Sequence, residues 1–139
     1  MAIPAKETPV TGHAVGTFDV KLTPSSDEAA KPFGRMSIEK QFHGALDGSS
    51  AGVMLSAGTD VKNSAGYVAL ERVTASLEGR RGSFVLQHNG LMDRGAGHLM
   101  ISIVPDSGTD GLTGISGTMT IEIAGGVHRY DLSYAFLTR

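Results

Sequence analysis

Apolar and polar residues alternate with a period of two along nearly the whole chain, and no long stretch carries the 3.6-residue period of an amphipathic helix. From Val10 to Leu22 the even positions are Val10, Gly12, Ala14, Gly16, Phe18, Val20 and Leu22, while the odd ones include His13, Thr17, Asp19 and Lys21. That is a half-buried strand, with small residues at its start where it can bend or be closely approached. Thr23 to Phe33, with two prolines, two serines and three charges, reads as an exposed loop. The same alternation predicts strands over Arg35–His43, Gly52–Gly58, Gly66–Leu77, Gly82–His88, His98–Val104, Ile115–Ile123 and Val127–Leu137. Turn chemistry separates them at Asp47-Gly48, Glu78-Gly79, Asp106-Ser107-Gly108, Asp110-Gly111 and Ala124-Gly125-Gly126.

Eight consecutive strands with short links predict an antiparallel meander, and closing it into a barrel removes both exposed edges. The fold class is therefore all-β, an eight-stranded antiparallel closed barrel whose interior is either filled or just wide enough for one small ligand. The 139 residues suit one domain, 1–139, with residues 1–9 as a flexible N-terminal segment. The echo Leu-x-Gly-x-x-Gly at Leu77–Gly82 and Leu112–Gly117 reads as repeated turns, because a phosphate-cradling loop needs a helix after it.

Composition narrows the function classes. Twelve basic against fourteen acidic residues give a net charge of −2, without the electrostatic footprint of a nucleic-acid or anionic-lipid partner. No apolar run approaches the roughly 20 residues that span a bilayer, and the first residues lack a signal peptide's apolar stretch. Cysteine is absent, which excludes disulfide scaffolds and thiol nucleophiles and fits a reducing, cytoplasmic location.

The inward faces, assigned by apolarity alone, contain groups that a merely filled barrel would not use. Met36, Ile38 and Phe42 bring Lys40 with them; Tyr67, Ala69, Val73, Ala75 and Leu77 bring Glu71; Phe84 and Leu86 bring His88. The last strand presents His128, Tyr130, Leu132, Tyr134 and Phe136. Desolvating an ion costs several kcal/mol even after relaxation, so charges in a core need partners. Lys40 and Glu71 either neutralise each other as a buried salt bridge, with Lys40 alternatively snorkelling to a barrel mouth, or serve a wetted pocket. In the functional reading Glu71 accepts a proton, His88 shuttles it, and Lys40 stabilises developing negative charge. Tyr67, Phe42, Phe84, Tyr130 and Tyr134 would line the ligand.

His88 and His98 flank Asn89–Gly97, read as a loop, and could oppose each other across a hairpin; without a carboxylate cluster or His-x-His spacing no metal site is expected. His13 and His43 fall on polar faces. There is no Gly-x-Ser-x-Gly elbow, Walker loop or dinucleotide fingerprint, and no cofactor is expected. Strand methionines 36, 54, 100 and 119 read as core filling.

Several segments together resemble a small bacterial family described only as a domain of unknown function. They are Ile38-Glu39-Lys40-Gln41-Phe42-His43-Gly44 with Leu46-Asp47-Gly48, Gly66-Tyr67-Val68-Ala69-Leu70-Glu71-Arg72, Leu77 through His88, Val104-Pro105-Asp106-Ser107-Gly108-Thr109, and Leu112 through Gly117. The resemblance spans nearly the whole chain. It implies an allene oxide cyclase-like, calycin-like barrel of eight antiparallel strands and brings no established activity or catalytic residues. The wider superfamily includes cyclases acting on largely apolar ligands without a cofactor, an analogy at the level of fold. Oligomers are common among such barrels, and outward Val68, Leu70 and Val85 suit a homo-oligomer contact. The expected function is binding of one small apolar or amphipathic molecule, with cofactor-independent isomerisation or cyclisation by proton transfer. The alternatives are a non-catalytic carrier and an assembly module with a filled barrel.

Overall fold

A computed structural model describes residues 10–25 and 32–137. Eight strands form a closed barrel in which each pairs antiparallel with the next and the last returns to the first: β1 (Val10–Ser25), β2 (Gly34–Gly44), β3 (Leu46–Gly58), β4 (Ala65–Leu77), β5 (Arg80–Asp93), β6 (Ala96–Ile103), β7 (Ile115–Ala124) and β8 (Val127–Phe136). A 3₁₀ turn at Asp110–Leu112 interrupts the connection between β6 and β7. Among the described residues no helix is long and apolar enough to cross a membrane. The expected segment 1–9 lies outside the described residues.

Strand count and inward parity agree with the alternation, while several boundaries move and Met100, read as core filling, is exposed on the outer face of β6 opposite Asn89. Asp47-Gly48 is not a turn: both residues lie in β3, opposite Ser76 and Ala75. The reversal comes earlier, at Gly44 with φ +108°. Gly48 is glycine because the strands approach closely there; a Cβ would lie 2.3 Å from the Thr74 carbonyl oxygen. The loop expected over Asn89–Gly97 is instead a continuous hairpin, turning on Arg94 (φ +48°) and Gly95 (φ +93°), a pair of left-handed residues whose twist suits a two-residue connection. His98 consequently pairs with Leu91 and His88 with Ile101, so the two histidines do not face each other. β1 runs on through Pro24, opposite Met36, which is tolerated because β1 has no β8 partner beyond Phe18; residues 26–31 of the expected loop lie outside the described residues.

The two ends of the barrel differ. At the end holding the β2–β3 and β4–β5 turns, Phe42, Leu46, Leu77, Phe84, Leu112 and Leu132 are fully buried, each burial worth roughly 1.5–3 kcal/mol. The β6–β7 connection is laced to β5 there: Thr109 N–H donates to Ser83 O at 2.8 Å, and Val85 N–H donates to the Ser107 hydroxyl at 3.0 Å. Tyr130 fastens the β2–β3 reversal, its hydroxyl accepting from Leu46 N–H at 2.9 Å and lying 2.8 Å from His43 O. At the other end the inward positions are half-exposed or exposed: Met36, Met54 and Tyr67 in the wall, Leu99 and Ile123 at the rim.

The close approach at Gly48 has a direct test. Gly48→Ala is expected to lower stability by about 1–3 kcal/mol through overpacking against backbone, whereas Gly58→Ala, with nothing within 4 Å of the new methyl, should change it by less than about 0.5 kcal/mol. Urea midpoints measure both, and equal midpoints would contradict the packing assignment.

Candidate functional site

Four adjacent strands each contribute one polar side chain to the same point inside the barrel. Inward parity places Lys40 on β2, Ser50 on β3, Glu71 on β4 and His88 on β5, and all four are buried, with relative exposures of 8%, 6%, 1% and 4%. Glu71 is the hub. Its Oε1 accepts from Lys40 Nζ at 2.8 Å and lies 2.6 Å from His88 Nε2, while Oε2 accepts from the Ser50 hydroxyl at 2.5 Å. Gly52 lies opposite Glu71 in the register, and a Cβ there would come within 2.7 Å of the glutamate Cβ. The position is glycine because the hub needs the space.

Burial on its own raises the Glu71 pKa. The hydrogen bond from His88, the Lys40 charge and hydrogen bond, and the Ser50 hydroxyl more than offset it and bring the value down from 4.5 to about 2. The carboxylate is thus ionised at neutral pH, with both oxygens occupied. The Lys40 ammonium sits 4.8 Å from the Phe18 ring centroid and 5.8 Å from that of Phe42, so aromatic faces supply part of its solvation. Committing Nε2 of His88 to the carboxylate leaves Nδ1 as the ring nitrogen available to another partner.

Beside this cluster the barrel opens into an apolar cup of about 620 Å³, lined by Met36, Met54, Tyr67, Gly90 and Leu99 with Ile123 at its rim. Tyr67 links cup and cluster. Its ring centroid lies 6.3 Å from that of His88, and its hydroxyl has no hydrogen-bond partner among the described residues. Burial, and secondarily the Glu71 charge, raises the Tyr67 pKa, so the phenol keeps its proton at neutral pH.

The sequence-predicted residues therefore separate into two groups. Lys40, Glu71 and His88 come together in the buried cluster, and Tyr67, its ring 6.3 Å from that of His88, is the member of the four that lines the cup. Phe42, Phe84, Tyr130 and Tyr134 do not reach it: all are buried in the packed half, and the Tyr134 hydroxyl donates to Glu78 at 2.8 Å. Ser50 is the member that sequence reasoning missed, because β3 was expected to start at Gly52; continuing the parity Met54, Gly52 back by two residues points to it. His13 and His43 are exposed as expected, paired with Asp131 and Asp19 at 3.0 and 2.9 Å. No cluster of three or more His, Cys, Asp or Glu suited to a metal occurs among the described residues.

Residues 14–134 match the family described as "Protein of unknown function (DUF3224)". The chain belongs to this family. A crystal structure of a DUF3224 protein of unknown function from Shewanella oneidensis MR-1 is 48% identical, covers 94% of this chain and 100% of its own, and superposes with a TM-score of 0.89. No curated protein matches the chain. Family and fold thus agree, and the chemistry has to be read from the site itself.

The cluster predicts a specific acid response. A carboxyl whose folded pKa is about 2 instead of 4.5 stabilises the fold by roughly 3 kcal/mol above pH 5, of which about 2 kcal/mol is gone by pH 3. Glu71→Gln is expected to lower stability at pH 7 by about 3–5 kcal/mol, since it strands a buried ammonium, and to flatten the fall between pH 5 and 3. Urea titrations across that range decide it: equal acid losses in both proteins would refute the assignment.

Proposed function

We propose that the protein binds one small, mostly apolar molecule in the cup, with the molecule's polar end against Tyr67 and His88, and that the chemistry of the site is proton transfer. One observation carries the reading: an open apolar cavity is lined by Tyr67, a phenol whose ring lies 6.3 Å from that of His88 in the buried carboxylate–imidazole pair. Apolar cavities with a few convergent polar groups are the usual form of small-ligand sites.

The roles follow from the hydrogen bonds. Glu71, ionised and held by three polar partners, is a poor proton acceptor in this reading and acts as a positioning residue. By accepting the Nε2 proton it fixes the tautomer in which Nδ1 of His88 is the base. Lys40 and Ser50 hold the carboxylate ionised and oriented. The Tyr67 hydroxyl donates a hydrogen bond to a ligand carbonyl oxygen, and an enolate developing there would be stabilised by that donor. The substrate class is an apolar molecule with an enolisable carbonyl, and the reaction class is isomerisation or cyclisation by proton transfer using side chains of the barrel wall. On its cysteine-free composition we assign this activity to the cytoplasm.

The carrier reading has one observation in its favour: no buried side-chain polar atom among the described residues lacks a partner, so the cluster is satisfied without a ligand. Two measurements separate the readings. Binding of 1-anilinonaphthalene-8-sulfonate is expected to saturate at one per chain and to be lost in Met54→Trp, which fills the cup, without a change in thermal unfolding. Mass spectrometry of molecules released on denaturation identifies the natural ligand. His88→Gln then abolishes conversion of that molecule while retaining it if the site is catalytic, and retention without conversion by the wild type identifies a carrier. Undiminished dye binding by Met54→Trp would sink both.

A further inference from the structure

The outer face of β3 and β4 bears apolar side chains where a solvated barrel wall has polar ones. Val53 and Leu55 on β3 and Val68 and Leu70 on β4 all point outward, and Phe33, just before β2, and Leu91 on β5 flank them. The six are 38–61% exposed. Register makes the patch contiguous: Val53 lies opposite Leu70 and Leu55 opposite Val68. Two shallow grooves, of about 380 and 310 Å³, run over it. Together these side chains present roughly 500 Å² of apolar surface, the size of the largest patch on a typical monomer, which is often functional. With its polar margins it approaches the ~800 Å² that each partner contributes to a standard interface.

We propose that this face is the interface to a second copy of the chain, related by a two-fold axis lying parallel to the strands between β3 and β4. The arrangement of side chains across the strands carries the choice of partner. In successive rows, β2, β3, β4 and β5 present Glu39, Ala51, Arg72 and Val85; then Ser37, Val53, Leu70 and Gln87; then Arg35, Leu55, Val68 and Asn89. Rotation about the stated axis exchanges β3 with β4 and β2 with β5 at constant level. Val53 then meets Leu70 of the other copy, and Leu55 meets Val68. Phe33 meets Leu91, and Ser37 and Arg35 meet the side-chain amides of Gln87 and Asn89.

The charges obey the same operation. Arg72 of one copy comes within one strand spacing, ~4.8 Å laterally, of Glu39 of the other, and the pairing occurs twice. In two rows apolar side chains thus cover apolar ones at the centre and polar ones cover polar ones at the margins; in the third Glu39 lies over Val85 and Arg72 over Ala51, with the opposite charges adjoining, a self-complementarity of the kind an isologous contact requires. Two sheets packed in this way have the ~10 Å separation of a β-sandwich core. The face is the outside of the barrel wall, although its grooves also touch His88 and Tyr67, and Leu91 also lines the cup; oligomeric state tests it separately from ligand conversion.

Sedimentation equilibrium at micromolar concentration is expected to give twice the 14.5 kDa of one chain, and Leu70→Glu a single chain with an unchanged far-UV spectrum. Because the protein has no cysteine, single-cysteine variants report the axis cleanly. A short bismaleimide is expected to join Phe33→Cys chains to Leu91→Cys chains at least tenfold more efficiently than either variant to itself. A wild type of single-chain mass, a dimer that survives Leu70→Glu, or self-linking as efficient as cross-linking would overturn the proposal.

Discussion

An ionised carboxylate with 1% exposure is the constraint around which this barrel is organised. Removing Glu71 from water costs several kcal/mol, and the site exists only because three other strands, β2, β3 and β5, bring polar partners to it in one register. A slip of one residue in any of them would turn its donor to the outside, since side chains alternate strictly along a strand. Gly52 and Gly48 belong to the same economy of space. Both give β3 its close approach to β4, and one of them makes room for the hub. The cluster is therefore a pin on the register of β2 through β5 as well as a chemical group.

The pin also divides the interior. On one side lie closely packed phenylalanines, leucines and two tyrosines whose hydroxyls bind backbone or a glutamate at the closed end. On the other, methionines and Tyr67 line an open cup. A barrel this small has room for either filling or a cavity at any one level, and this chain has both at different levels. Polarity sits between them.

The fold and half of the site were legible before any coordinates. Alternation at period two gave eight strands, and apolarity chose the inward sides that carry Lys40, Glu71 and His88. What could not be read was position along the barrel axis. Tyr67, Tyr130 and Tyr134 have the same parity and chemistry in the sequence, yet only Tyr67 faces the cup, because depth depends on how strands are staggered against one another. Asp47-Gly48 looked like a turn for a related reason: glycine for close approach and glycine for reversal are the same letter. Ser50 was lost with that boundary.

Local alternation and composition, then, determined that this chain is an all-β barrel with ionisable groups inside, because a side chain's facing is fixed by its neighbours one and two residues away. Only the tertiary structure decided which inward groups touch, that Glu71 is held by three polar partners, and that one end is packed and the other open. Those outcomes depend on stagger and closure across strands far apart in sequence, quantities that no local pattern encodes.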